Sequence, residues 1–242
     1  MAPATLALLL LAAAPAASGG WFLESEAGMA FPGYNDVRIP GGGGTDISLT
    51  DDLEADPGVA FRLRFGREMG RHRISLFAAP LRLSSSGTVD TDVSFDGTVF
   101  PAGTELEARY RFDSYRLTWR YQLVRGGDLD LDLGLSAKVR DASISLEGGG
   151  QEAVKTNTGF VPLISFGLDW RISEKLSLLL DGDALAGPQG RAEDVLLAAG
   201  WAFDPRSTLY AGCRVLEGGA DVEEVYNFTL VSFAVIGFRL AL

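Results

Sequence analysis

The 242-residue chain suits one domain of ordinary size, and its 47% apolar and 22% charged residues exclude both a disordered chain and a helical membrane protein. A formal charge of −11, with no cluster of Lys and Arg, excludes nucleic acid as a partner. The single cysteine, Cys213, excludes an intrachain disulfide or a thiolate metal cluster, and thirty glycines point to a turn-rich, all-β chain.

Residues 1–18 read as a secretory signal peptide. The apolar run at 6–14 is too short to span a bilayer, and Ala14-Pro15-Ala16 or Ala16-Ala17-Ser18 supplies small residues for cleavage. No Lys or Arg precedes that run, which is atypical unless the start codon is misassigned. Residues 19–242 form the predicted mature domain. Its longest apolar runs, 195–203 and 230–238, fall far short of the roughly 18 residues of a spanning helix.

Period-two alternation dominates after Gly20 and predicts ten strands, or eight if the least regular pair near the start is misread. They are placed at 21–31, 58–67, 73–84, 105–124, 128–146, 159–172, 175–186, 192–203, 207–216 and 225–242. Short turns are expected around Gly70, Gly126, Ser173-Glu174 and Pro205. Longer loops are expected at 32–57, 85–104, 148–158, 187–191 and 217–224. Short turns on one rim and long loops on the other are the layout of an antiparallel, up-and-down transmembrane β-barrel.

The central hairpin carries the clearest pattern. Tyr115, Leu117, Trp119, Tyr121 and Leu123 alternate with Ser114, Arg116, Thr118, Arg120 and Gln122. After the turn, Leu129, Leu131, Leu133, Leu135, Ala137 and Val139 alternate with Asp130, Asp132, Gly134, Ser136, Lys138 and Arg140. A three-residue turn at Gly126 sets Arg120 opposite Asp132 and Gln122 opposite Asp130. The phase changes twice. Leu106, Ala108, Tyr110 and Phe112 share the face of Arg116, and Ala142, Ile144 and Leu146 share that of Lys138. Two readings fit: a pair of bulges that swap faces, or an apolar patch inside the outer half of a barrel, with Tyr110, Phe112 and Ile144 holding a small hydrophobic ligand.

Alternation alone suits a soluble β-sandwich as well as a membrane barrel. Three features favour the barrel. Charges of both signs recur on the polar faces: Glu24, Glu26, Arg62, Arg64, Arg116, Arg120, Asp130, Asp132, Asp169, Arg171, Asp181, Asp183, Arg214 and Arg239. An Arg facing lipid at mid-depth costs roughly 2–4 kcal/mol, so these must line a closed interior as ion pairs. Aromatics such as Trp119, Tyr121, Trp170 and Trp201 sit towards strand ends, as girdles do. The last strand keeps Tyr226, Phe228, Leu230, Ala234, Ile236, Phe238, Leu240 and Leu242 on one face.

That ending resembles the terminal strand of bacterial outer-membrane proteins, although those usually finish on an aromatic and this chain finishes on Leu242. The likeness to small OmpA-, OmpX- or OmpW-like barrels is one of architecture. It implies residence in the outer membrane, with outer-membrane lipid, lipopolysaccharide and the barrel assembly machinery as partners.

Candidate chemistry is sparse. Enzymes built on such barrels place a histidine beside Ser, Asp or Asn near the outer leaflet, whereas the one histidine here, His72, follows a short turn. Asp181 and Asp183 share a face with Asp194 on the next strand, which suits acid–base work or, with Arg171 and Arg191 near, an ion-pair network. The expected network comprises Arg116, Arg120, Asp130, Asp132, Asp169, Arg171, Asp181, Asp183, Asp194 and Arg214. The acidic run at 51–56 matches no calcium-loop spacing and reads as a solvated loop. Cys213 reads as a small buried hydrophobe. No catalytic residue, metal ligand or cofactor is expected. The expectation is a non-enzymatic barrel with a closed, charge-paired lumen and a structural or small-ligand-binding role; the alternatives are an envelope enzyme using the Asp cluster and a soluble periplasmic β-sandwich or barrel that acts as a binding protein.

Overall fold

The computed structural model describes residues 19–242, and the predicted signal peptide at 1–18 lies outside them. Ten long strands follow the alternating segments. They are β1 (Trp21–Arg38), β2 (Gly58–Met69), β3 (His72–Ala79, resuming after Pro80-Leu81 as Arg82–Thr88), β4 (Glu105–Val124), β5 (Leu129–Gly148), β6 (Gln151–Arg171), β7 (Leu176–Gly187), β8 (Gly190–Asp204), β9 (Ser207–Asp221) and β10 (Tyr226–Ala241). Each pairs antiparallel with its chain neighbours. β1 then pairs with β10 from Phe22↔Ala241 to Arg38↔Tyr226, which closes the ring. Closure removes the open edges that would otherwise leave backbone groups unsatisfied in lipid.

Side-chain direction distinguishes a membrane barrel from a soluble one. Leu117, Leu133 and Phe238 are 52%, 47% and 36% exposed on the outside, while Arg120 and Asp132 are 3% and 7% exposed within. The apolar face therefore looks outward. Trp21, Trp119, Trp170 and Trp201 ring the exterior near the short-turn rim, and Trp21 stacks on Phe65 at 5.1 Å. No helix among the described residues is long and apolar enough to cross a membrane. The strands do the crossing.

The rims differ as expected, but the outer one is built differently. The loops expected at 148–158, 187–191 and 217–224 shrink to short turns because the flanking strands run on. At the first of these, Gly149 and Gly150 have φ of 58° and 77°, a pair of left-handed residues that closes a two-residue hairpin. Strands β4, β5 and β6 reach 20, 20 and 21 residues, about twice the roughly 9–11 that a tilted strand needs to cross. Their upper halves stand above the bilayer.

That overhang accounts for the two changes of phase. No register shift interrupts β4 against β5 between Leu117↔Ala137 and Glu107↔Glu147, so the face-swapping bulges are absent. Even-numbered residues point inward all along both strands. What inverts is polarity: Val139 faces out among lipid, then Asp141, Ser143, Ser145 and Glu147 face out above it, while Ala142, Ile144 and Leu146 turn inward. Below the switch the wall is built for lipid. Above it, the wall is built for water, with an apolar core inside.

The hairpin register is corrected by two residues. Arg120 lies opposite Gly134, and Gln122 opposite Asp132, because the turn is longer than three residues: Val124 pairs with Leu131 instead of Asp128, and a bulge at Leu123 on β4 takes back one residue of that offset. Cys213 faces outward and is exposed among the lipid-facing side chains, not buried.

Candidate functional site

Two layers fill the interior. In the membrane-spanning half, alternate inward positions of adjacent strands place carboxylates within reach of guanidinium groups across the lumen. Glu24 on β1 meets Arg64 at 2.9 Å, Arg73 at 3.2 Å and Arg239 at 2.8 Å. Glu26 accepts from Arg62 at 2.9 Å and from Arg214 at 2.8 Å, with the Tyr210 hydroxyl donating at 3.2 Å. Asp181 on β7 accepts from Arg64 at 2.8 Å and from Arg120 at 2.5 Å. Asp183 accepts from Arg116 at 2.6 Å and from Ser136 at 2.7 Å. Asp194 on β8 accepts from Arg116 and, at 2.7 Å, from Arg214.

Burying an ion is costly, and the cost is offset only where geometry is good and the remaining lone pairs are used. Here every one of these five carboxylates takes two or more charged or hydroxyl partners. The planar guanidinium, which forks between acceptors, suits this role better than an ammonium would. The arginines also stack: Arg62 lies 4.3 Å from the centre of the Phe233 ring, and Arg73 lies 4.1 Å from that of Phe22. Little space is left. The cavities among these residues hold about 10 Å³ each, room for one water molecule at most.

Of the ten residues expected in the network, Arg116, Arg120, Asp181, Asp183, Asp194 and Arg214 form its centre. Asp132 sits at its periplasmic margin, 3.8 Å from Arg73, and Asp169 does likewise, 3.5 Å from Arg239. Asp130 and Arg171 belong elsewhere. They face each other at 3.6 Å on the half-exposed turn rim, where Asp130 also accepts from the Gly126 amide. Neither Arg171 nor Arg191 reaches the Asp cluster; Arg191 binds Glu217 at 2.7 Å on the opposite rim. Glu24, Glu26, Arg62, Arg64 and Arg239, read in the sequence as lining the interior but outside the expected ten, complete the network. Their inward phase on β1, β2 and β10 marks them out. Arg73 at the start of β3 carried no comparable pattern.

The upper layer is apolar. Tyr110 and Ile144, two members of the suspected ligand patch, are buried there with Leu83, Leu106 and Leu146. Loop side chains descend into this core. Ile39, Leu49 and Leu53 come from the 39–57 loop, and Phe95 and Phe100 come from a small hairpin, Val93–Phe95 with Thr98–Phe100. The two loops are stitched together: the Thr45 amide donates to Ser94 O at 2.9 Å, and the Asp96 amide donates to Ile39 O at 2.9 Å. On the side of Ile144 the patch is thus occupied by the chain itself, as a plug. Phe112 is half-buried, and it lines a separate cavity together with Tyr110, whose ring is stacked on it at 6.1 Å.

Two further features lie outside both layers. His72 begins β3 at the short-turn rim, where its Nδ1 accepts from Trp119 Nε1 at 3.2 Å. The acidic loop folds on itself, Asp52 accepting from the Ser48 amide at 2.8 Å. Among the described residues, no group of three His, Cys, Asp or Glu side chains is arranged to hold a metal ion.

No protein-family model and no curated protein matches the sequence. Solved structures match in fold. The outer membrane protease OmpT from Escherichia coli aligns over 92% of this chain and 97% of its own, with a TM-score of 0.63 at 11% identity. An outer membrane channel from Pseudomonas putida F1 aligns over 95% and 97%, with a TM-score of 0.47 at 12% identity. Neisserial surface protein A aligns over 93% and 100%, with a TM-score of 0.37 at 15% identity. The chain is an outer-membrane-type β-barrel.

Proposed function

We propose that this barrel resides in the outer membrane, among its lipids and lipopolysaccharide, as a non-enzymatic protein whose lumen is closed to solutes. One observation carries the reading. Every carboxylate of the Asp181, Asp183 and Asp194 cluster is held by arginine in a space too small for a substrate. A general base must reach a proton on a bound substrate, and an acid locked between guanidinium groups does not. The likeness to a protease is one of fold at 11% identity, and the lone histidine sits on the rim away from the outer leaflet.

Two assays test it on one preparation. Single-channel recording in planar bilayers is expected to show no stepwise conductance. Peptide and phospholipid hydrolysis is expected at background for the native chain and for Asp183→Asn alike. Turnover that Asp183→Asn abolishes would return the Asp cluster to the role of an active site.

A further inference from the structure

The ring of hydrogen bonds has a gap. β6 pairs with β7 only from Ile164↔Ala184 down to Arg171↔Ser177, while β6 continues upward to Gln151 along β5 alone. β7 turns back at Gly187, so the upper edge of β6 has no neighbour on that side. The gap begins at the level where the outer wall changes from apolar to polar, beside Phe160 and Pro162.

A cavity of about 560 Å³ occupies this gap and runs through the wall. Its outer lining includes Phe160, 67% exposed, and Leu185, 39% exposed; its inner lining includes Leu216 and Lys138, 6% and 3% exposed. A volume in this range is that of a small-molecule site. Its chemistry is mixed in a particular way. Apolar side chains make up most of the walls, the upper rim carries the Arg191–Glu217 ion pair at 2.7 Å, and two further cations, Lys138 and Arg140, line the inner end. Lys138 lies 4.8 Å from the centre of the Phe112 ring, and it makes no salt bridge among the described residues, whereas Arg116, Arg120 and Arg214 all do. Arg140 also has no carboxylate partner among them; it donates one hydrogen bond to Asn157, and its buried Nε has no partner. In a lumen where carboxylates are otherwise matched to guanidinium groups, these two charges are left for something else.

We infer that the cavity is a lateral binding site for a single-chain anionic amphiphile, which enters from the outer leaflet with its head on Lys138 and Arg140 and its tail along Phe160 and Leu185. This goes beyond the proposed function, which concerns only the absence of catalysis and of a pore. A carboxylate or phosphate head would receive charge-assisted hydrogen bonds in a site screened from water. The tail would remain in contact with the apolar belt, so no long desolvated path is needed.

The test is native mass spectrometry of the folded chain in a neutral detergent, titrated with dodecanoate, dodecyl phosphate, dodecanol and acetate. Dodecanoate or dodecyl phosphate is expected to bind one to one and at least tenfold more tightly than dodecanol, with acetate not retained; which anion binds better tells a free fatty acid from a phospholipid fragment. Lys138→Gln is expected to abolish the preference of anion over alcohol. Leu185→Trp, at the mouth of the cavity and away from the ion pairs, is expected to weaken all tailed ligands together, and decides the matter if Lys138→Gln does not fold. Equal binding of dodecanol and both anions, or anion binding unchanged in Leu185→Trp, would overturn the site while leaving the closed, non-catalytic lumen untouched.

Discussion

Individual side chains matter here according to how many partners they hold at once. Asp194 joins Arg116 to Arg214, and Arg214 passes the chain of contacts to Glu26. Asp194→Ala would leave two buried guanidinium groups each short of an acceptor, and removing one partner of a buried pair costs about 3–5 kcal/mol. Glu107 faces Arg109 at 3.7 Å on the exposed wall, and Glu107→Ala is expected to cost less than about 1 kcal/mol. Urea midpoints of the folded barrel in detergent, followed by tryptophan fluorescence, should separate the two variants. A second residue-scale expectation concerns pH. Partial burial raises the Glu217 carboxyl, but the hydrogen bonds from Arg191 and Tyr34 outweigh it and hold the group below its usual 4.5. Its folded pKa is depressed, so the stabilisation is present above about pH 4.5 and is lost as pH falls through the folded value. Amide protection along the outer ends of β8 and β9 should fall in that acid window, and Glu217→Gln should remove the dependence.

At the scale of strands, the same face of one element has opposite requirements at different heights. Ile164 and Thr156 both face outward on β6, four side chains apart on that face, one within the apolar belt and the other above it. Ile164→Arg is expected to destabilise by roughly 2–4 kcal/mol, whereas Thr156→Arg should stay near zero, and refolding titrations into lipid vesicles would measure the difference. This vertical change explains what was legible in the sequence. β4 is recovered at Glu105–Val124 to the residue, because alternation persists on both sides of the switch. The upper half of β6 was missed, since Lys155, Thr156, Asn157 and Thr158 sit where neither face needs to be apolar throughout. The inversion itself was visible in β4 and β5 but was ambiguous, because a bulge and a change of solvent leave the same mark on one strand. The inward phase of the charged residues was readable too. Their partners were not: Arg120 reaches Asp181 across 61 positions and Arg214 reaches Glu26 across 188, and alternation within a strand says nothing about the far wall. The register of the central hairpin failed for a local reason: the glycine turn runs on until Val124 meets Leu131, and the bulge at Leu123 recovers only one residue of the difference.

For the molecule as a whole, the two interior layers close the barrel by unrelated means. The lower layer is held by ion pairs in the membrane span, and the upper by loop side chains packed as a small hydrophobic core. If the two are independent, removing one must leave the other in place. Replacing residues 93–100 by a short Gly-Ser linker takes Phe95 and Phe100 out of the upper core, and both are wholly buried there. The exposed vestibule, lined by Leu106, Tyr110 and Leu146, should then bind an apolar dye such as anilinonaphthalene sulfonate. The ion-paired layer beneath lies in a different part of the wall and shares no partner with the hairpin, so planar bilayers holding this variant should still show no conductance. Stepwise currents from the shortened chain would mean instead that the loops hold the arginines in place, and that the lumen is closed by one cooperative unit.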